Sequence, residues 1–143
     1  MPKGWSSPGT AYMIRDILKV IGPAYVKHIH NRCVEFCRPL RSATGTELRP
    51  GYTPPSYKSV QNMIYTLRKL GLVVLDKEVK DPANPHRFPR RYYRLVPGKE
   101  GDMAWRNPID AHYYPDVFAR KTEFRIDYLT SADWLDRIRR LQW

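Results

Sequence analysis

Cysteine, long apolar runs and acidic residues are all scarce in this chain, and each scarcity excludes a class of protein. Only two of its 143 residues are cysteines, Cys33 and Cys37. Two are too few for a disulfide framework and fit a reducing compartment. No run of apolar residues exceeds four, as at Leu72-Val73-Val74-Leu75, which is too short for a membrane-spanning helix. The first residues, Met1-Pro2-Lys3-Gly4-Trp5, lack an apolar stretch that could form the core of a signal peptide. A soluble, unsecreted, cytoplasmic protein is therefore expected. What remains is enough to fold: 42% of residues are hydrophobic and 13% aromatic, with ten Tyr and four Trp, so wholesale disorder is excluded. A chain of this length buries roughly 68–70% of its unfolded surface in one domain, with or without an appendage. Thirteen prolines imply stiff loops.

The shortage of acid is local. Met1 to Gly98 holds 17 basic and 6 acidic side chains, a net +11, whereas Lys99 to Trp143 holds 8 of each. The whole excess of the chain thus lies in its first two-thirds, as on a surface that neutralises phosphates and releases their counterions. Arg outnumbers Lys 16 to 9. Guanidinium groups bind phosphates and base edges bidentately and stack on rings, so the balance leans towards nucleic acid over mere solubility. Two units are expected: residues 1–98 as a nucleic-acid-binding domain, and 99–143 as a carboxy-terminal extension.

Periodicity supplies the elements. Met13, Ile14, Ile17, Leu18 and Ile21 recur at helical spacing in a first helix over Thr10 to Ile21. Gly22-Pro23 ends it and opens a second, from Ala24 to Cys37, with Val26, Ile29, Cys33, Phe36 and Cys37 on its apolar face. Leu40 to Pro55 reads as loop. A third helix is marked by Val60, Met63, Ile64, Leu67 and Leu70, with Thr53 or Ser56 as its cap, Pro54 and Pro55 in its first turn and Gly71 at its end. Leu72 to Leu75 and Arg91 to Val96 read as antiparallel strands around a proline-broken loop, Asp76 to Arg90. Beyond Gly98 the chain reads as irregular until a last amphipathic helix, about 131–142, capped by Ser131.

This order resembles the winged helix-turn-helix superfamily over about residues 10–97, with Ser56 to Val74 similar to its recognition helix running into the wing. The resemblance implies an α+β fold of three helices and a two-stranded wing. One departure is the long connection Leu40 to Pro55, where that superfamily usually has a tight turn; it is either an insertion that adds contacts or a fault in the helix assignment. The implied partner is nucleic acid, with duplex DNA favoured, and the implied role is a DNA-binding transcriptional regulator. On the groove side of the third helix fall Tyr57, Lys58, Gln61, Asn62, Tyr65 and Arg68. Gln61 and Asn62 are the candidate base readers, and Lys58, Arg68 and Lys69 candidate phosphate contacts. Lys80, Arg87, Arg90 and Arg91 belong to the wing, and Arg41 and Arg49 to the preceding loop. The alternatives are an RNA-binding or ribosome-associated protein using the same basic face, and a protein–protein adaptor.

No cofactor, metal or enzymatic activity is expected. His28-Ile29-His30 has the His–hydrophobic–His order of rolling-circle endonucleases, but it falls in a helix where those need a strand. His30, Cys33 and Cys37 share a helical face that could bind zinc, yet no fourth ligand is placed and both cysteines fall on the apolar side. Asp116, Glu123 and Arg125 resemble a restriction-type nuclease triad with Arg in the place of Lys, which cannot act as a base. Trp134, Leu135, Ile138 and Leu141 are expected on one face of the last helix, opposite Asp136, Arg137, Arg139 and Arg140, to form either a homodimer interface or a contact with the domain's own core.

Overall fold

A computed structural model describes residues 9–120 and 127–142, which form an α+β fold. Helix α1 (Thr10–Ile21) buries Met13, Ile14, Ile17 and Leu18 and ends at Gly22, whose φ of +76° favours glycine. Ala24 leaves the expected second helix. It bridges Tyr93 instead, with N–H to carbonyl bonds in both directions at 3.0 and 2.8 Å. Helix α2 (Val26–Cys37) therefore starts later, after Tyr25, and Pro23 lies outside its first turn. Its inward face is Ile29, Cys33, Phe36 and Cys37.

The connection read as loop contains a small hairpin, β1 (Leu40–Arg41) against β2 (Glu47–Arg49), turned at Gly45. The helix assignment on either side of it stands. Helix α3 (Tyr57–Lys69) begins where Ser56 Oγ accepts the N–H of Ser59 at 3.1 Å. Thr53 is not the cap, and Pro54 and Pro55 precede the helix; they do not occupy its first turn. Val60, Ile64 and Leu67 point into the core, and Gly71 ends the helix as expected. Strand β3 (Val73–Val79) pairs antiparallel with β4 (Arg90–Leu95), with a register shift between Leu75 and Lys77. Strand β3 runs four residues beyond the sequence reading and β4 is shifted one residue earlier, so the proline-bearing loop is confined to residues 80–89.

The segment expected to be irregular is largely helical. A 3-10 turn (Met103–Arg106) buries Trp105, whose Nε1 donates to the Lys99 carbonyl at 2.7 Å. Helices α4 (Pro108–Tyr113) and α5 (Pro115–Arg120) follow. Six residues complete fewer than two turns, too few for a hydrophobic period to register. After a second 3-10 turn (Asp127–Thr130), helix α6 (Ala132–Arg140) is capped by Ser131. Trp105, Trp134 and Leu141 join the same hydrophobic cluster as α1, α2 and α3. The extension is thus a wall of the core.

The orientation of α6 corrects the sequence reading. Trp134 and Leu141 are buried in the chain's own core, Ile138 is half-buried and Leu135 is exposed, so the expected dimer face is largely spent internally. The residue that completes the inward stripe is Arg137, 1% exposed, at the i+3 position from Trp134. It can sit there because every direction of its guanidinium meets an acceptor: the carbonyls of Phe36, Arg38 and Pro50 at 2.7–2.8 Å and Asp133 Oδ1 at 3.0 Å. Arg140 donates to the carbonyls of Glu35, Phe36, Arg38 and Pro39. Together the two cations satisfy the orphan carbonyls at the end of α2 and face the negative end of its dipole. Tyr52 closes the cluster: its hydroxyl donates to Asp133 at 2.9 Å and its ring lies 4.6 Å from the Arg137 guanidinium. The adjacent chain approaches so closely that a Cβ on Gly51 would lie 2.7 Å from the Cys37 carbonyl oxygen.

Arg137→Ala leaves the Pro50 carbonyl without a donor and takes one donor each from the Phe36 and Arg38 carbonyls and from Asp133, and is expected to cost about 1–3 kcal/mol. Denaturant unfolding measures it; a loss below about 1 kcal/mol would show that water or Arg140 replaces the guanidinium readily.

Candidate nucleic-acid interface

The thirteen residues of α3 include no acid. Their inward stripe leaves Tyr57, Lys58, Gln61, Asn62, Tyr65, Arg68 and Lys69 all exposed, as the sequence predicts. The side chains of Lys58, Gln61 and Asn62 make no hydrogen bond or ion pair among the described residues. Lys69 lies 5.2 Å from the Tyr65 ring and Arg68 5.3 Å from the Tyr93 ring of β4, so the end of α3 abuts the β3–β4 hairpin. At its start Tyr57 packs edge-on against His30 of α2, at 5.8 Å. The helix is thereby held at both ends, with its amide side chains presented outward between the two contacts.

The predicted cations fall into two groups. Arg49 is committed elsewhere, at 2.8 Å from Asp136 and 3.8 Å from Asp133, fixing the hairpin to α6. It is not a free phosphate contact. Arg41 donates to the Gly45 carbonyl at 3.3 Å and remains exposed at the hairpin. Arg91 is paired with Glu78 across the strands at 3.0 Å, and Arg90 lies 4.9 Å from the Tyr25 ring. Only Lys80 and Arg87 of the wing set have side chains without a charged or aromatic partner among the described residues.

Lys80, Arg87 and Arg90 converge with residues the sequence reading missed. Together with Tyr25, Lys27 and Phe88 they line a groove of about 620 Å³ between the start of α2 and the wing loop. Phe88 is 95% exposed. Asp81 is the acid of this groove, and its carboxylate already accepts the Ala83 N–H at 2.9 Å. Tyr25 is held edge-on by Tyr92 at 5.4 Å and faces His28 at 5.9 Å. Burial and then the Arg32 guanidinium hold the His28 pKa below its usual value, so near neutrality the imidazole adds no charge. One signal for Phe88 was available: it is the one aromatic carbocycle in a loop of polar residues, prolines and Ala83.

His28-Ile29-His30 lies on helix α2. Cys33 and Cys37 are buried, and desolvation pushes both thiols up, Cys37 to about 11 despite the Arg137 and Arg140 charges nearby. Asp116 is exposed on α5, whereas Glu123 and Arg125 lie outside the described residues. Among the described residues no helix is long and apolar enough to cross a membrane. Compared with protein-family models, curated proteins and solved structures, the chain matches none.

An aromatic disulfide reagent at about pH 8 should label neither cysteine in the folded protein and both after denaturation. Fast labelling of Cys37 in native protein would mean that the junction of α2 and α6 opens.

Proposed function

We propose that this chain is a nucleic-acid-binding protein of winged helix-turn-helix type, acting as a DNA-binding transcriptional regulator. In this reading α3 enters the major groove and the wing, residues 76–91, follows the backbone. The observation that carries it is α3 itself, an acid-free helix whose exposed arc combines two unengaged amide side chains with flanking cations. Amides pair bidentately with adenine, and the surrounding Lys58, Arg68 and Lys69 supply charge for phosphates. The order α1, α2, α3, β3, β4, with Ala24 bridging β4, supports the winged-helix reading. A second reading, RNA binding, is favoured by the exposed rings of Tyr57, Tyr65 and Phe88, since unpaired bases stack on such surfaces.

Site selection from random duplexes, followed by binding assays on the selected and a scrambled sequence, tests the groove face. Gln61→Ala or Asn62→Ala should each reduce discrimination by about 1–3 kcal/mol. Equal losses on both sequences would demote these residues to backbone contacts.

The wing is tested by salt. Replacing Lys80 and Arg87 together by Ala should make the slope of log K against log salt shallower by about 1.8 on duplex DNA, with sequence preference nearly unchanged. An unaltered slope would turn the wing away from the nucleic acid.

A further inference from the structure

The groove between α2 and the wing differs in kind from the α3 face. It bears a nearly fully exposed aromatic ring, Phe88, and its walls carry four cations, Lys27, Lys80, Arg87 and Arg90, against the single carboxylate of Asp81. We infer that this groove seats one unpaired nucleotide of a single-stranded segment, with its base against Phe88 and its phosphate among Lys27, Lys80 and Arg87. The inference rests on the nucleic-acid reading above and adds to it a specific class of strand.

Three features support that occupant for an unpaired strand, while on a continuous duplex the same Lys80 and Arg87 meet backbone phosphates. A base inside a duplex has both faces covered by its neighbours in the stack, whereas an unpaired base can offer a face to Phe88. The volume, about 620 Å³, lies within the roughly 300–1,000 Å³ of sites that enclose small ligands, a scale suited to a mononucleotide and not to a double helix. The charges are also sorted for the task. Arg90 is occupied at the Tyr25 ring, 4.9 Å away, and this pair, braced by Tyr92, forms a fixed floor. Lys27, Lys80 and Arg87 make no side-chain hydrogen bond or ion pair among the described residues and are left for the phosphate.

The loop that presents Phe88 is braced by its own backbone hydrogen bonds. Asn84 N–H donates to the Asp81 carbonyl at 3.1 Å and Arg87 N–H to the Asn84 carbonyl at 3.0 Å. Pro82, Pro85 and Pro89 restrict the same stretch. A ring held out in water by a braced loop loses little freedom when a base stacks on it.

The test uses the full chain and fluorescence anisotropy with labelled oligonucleotides of about twelve unpaired residues, deoxyribose and ribose in separate arms, beside a fully paired duplex of equal length. Phe88→Ala should weaken single-strand binding about 5- to 140-fold, the equivalent of losing one stacked base, and change duplex binding less than about twofold. Phe88→Trp should retain single-strand affinity, because a larger ring preserves the stack. The arm showing the larger Phe88 dependence identifies the sugar of the preferred strand. An unchanged single-strand affinity in Phe88→Ala, or equal losses on both forms, overturns the inference while leaving duplex binding intact. A wild-type chain that binds no oligonucleotide overturns the nucleic-acid reading itself and this inference with it.

Discussion

Arg137 and Arg140 meet the carboxyl end of α2 from a helix about a hundred positions later in the chain, and the arrangement of the other helices depends on that contact. Withdrawing a guanidinium from water costs several kcal/mol. Each hydrogen bond that a charged donor makes to a neutral acceptor returns about 1.5–3 kcal/mol. With three carbonyls and a carboxylate around it, Arg137 recovers its desolvation cost only while all of them are in place. The contact therefore contributes little net energy when complete and costs much when broken, which is how a buried ionic group selects one arrangement of helices over its neighbours.

The same contact joins the extension to the candidate interface. Trp134 packs on Phe36 at 4.7 Å and donates from Nε1 to Asp16 at 2.7 Å, tying α6 to both α1 and α2. With its carboxyl end held in this way, α2 presents Tyr25 and Lys27 from its opposite end to the groove, and its His30 supports the start of α3. The side chains offered outward are thus mounted on elements whose positions are set by burial elsewhere. Charge is divided by the same logic. Arginines such as Arg49, Arg91, Arg137 and Arg140 are held by carboxylates or carbonyls, whereas Lys58 on α3 and Lys27, Lys80 and Arg87 around the groove have no such partner among the described residues.

Local signals show how much was legible and why. Helix α3 was readable because its apolar stripe, its serine cap and its closing glycine all act within a few residues of one another. The hairpin at Leu40–Arg49 was not, since strands of two and three mostly exposed residues leave no alternating pattern. Tyr25 and Phe88 were missed as site residues for a related reason. They are far apart in sequence and line one groove only where the β3–β4 hairpin loop meets the start of α2. Arg137 was misassigned because a charged residue beside Asp136, Arg139 and Arg140 looks like part of a solvated face; the carbonyls that make its burial tolerable belong to residues 36–50.

Sequence alone determined the helices with clear periodicity, the strands after Gly71, the concentration of positive charge before Gly98 and the outward polar face of α3. Each follows from the spacing or composition of contiguous residues, which the chain carries before it folds. Tertiary structure decided which arginines are spent inside, that Trp134 and Leu141 belong to the chain's own core, and that Lys27, Lys80, Arg87 and Phe88 share one groove. The physical reason is that burial and hydrogen-bond satisfaction are properties of surroundings. For a side chain such as Arg137, those surroundings come from segments about a hundred positions away.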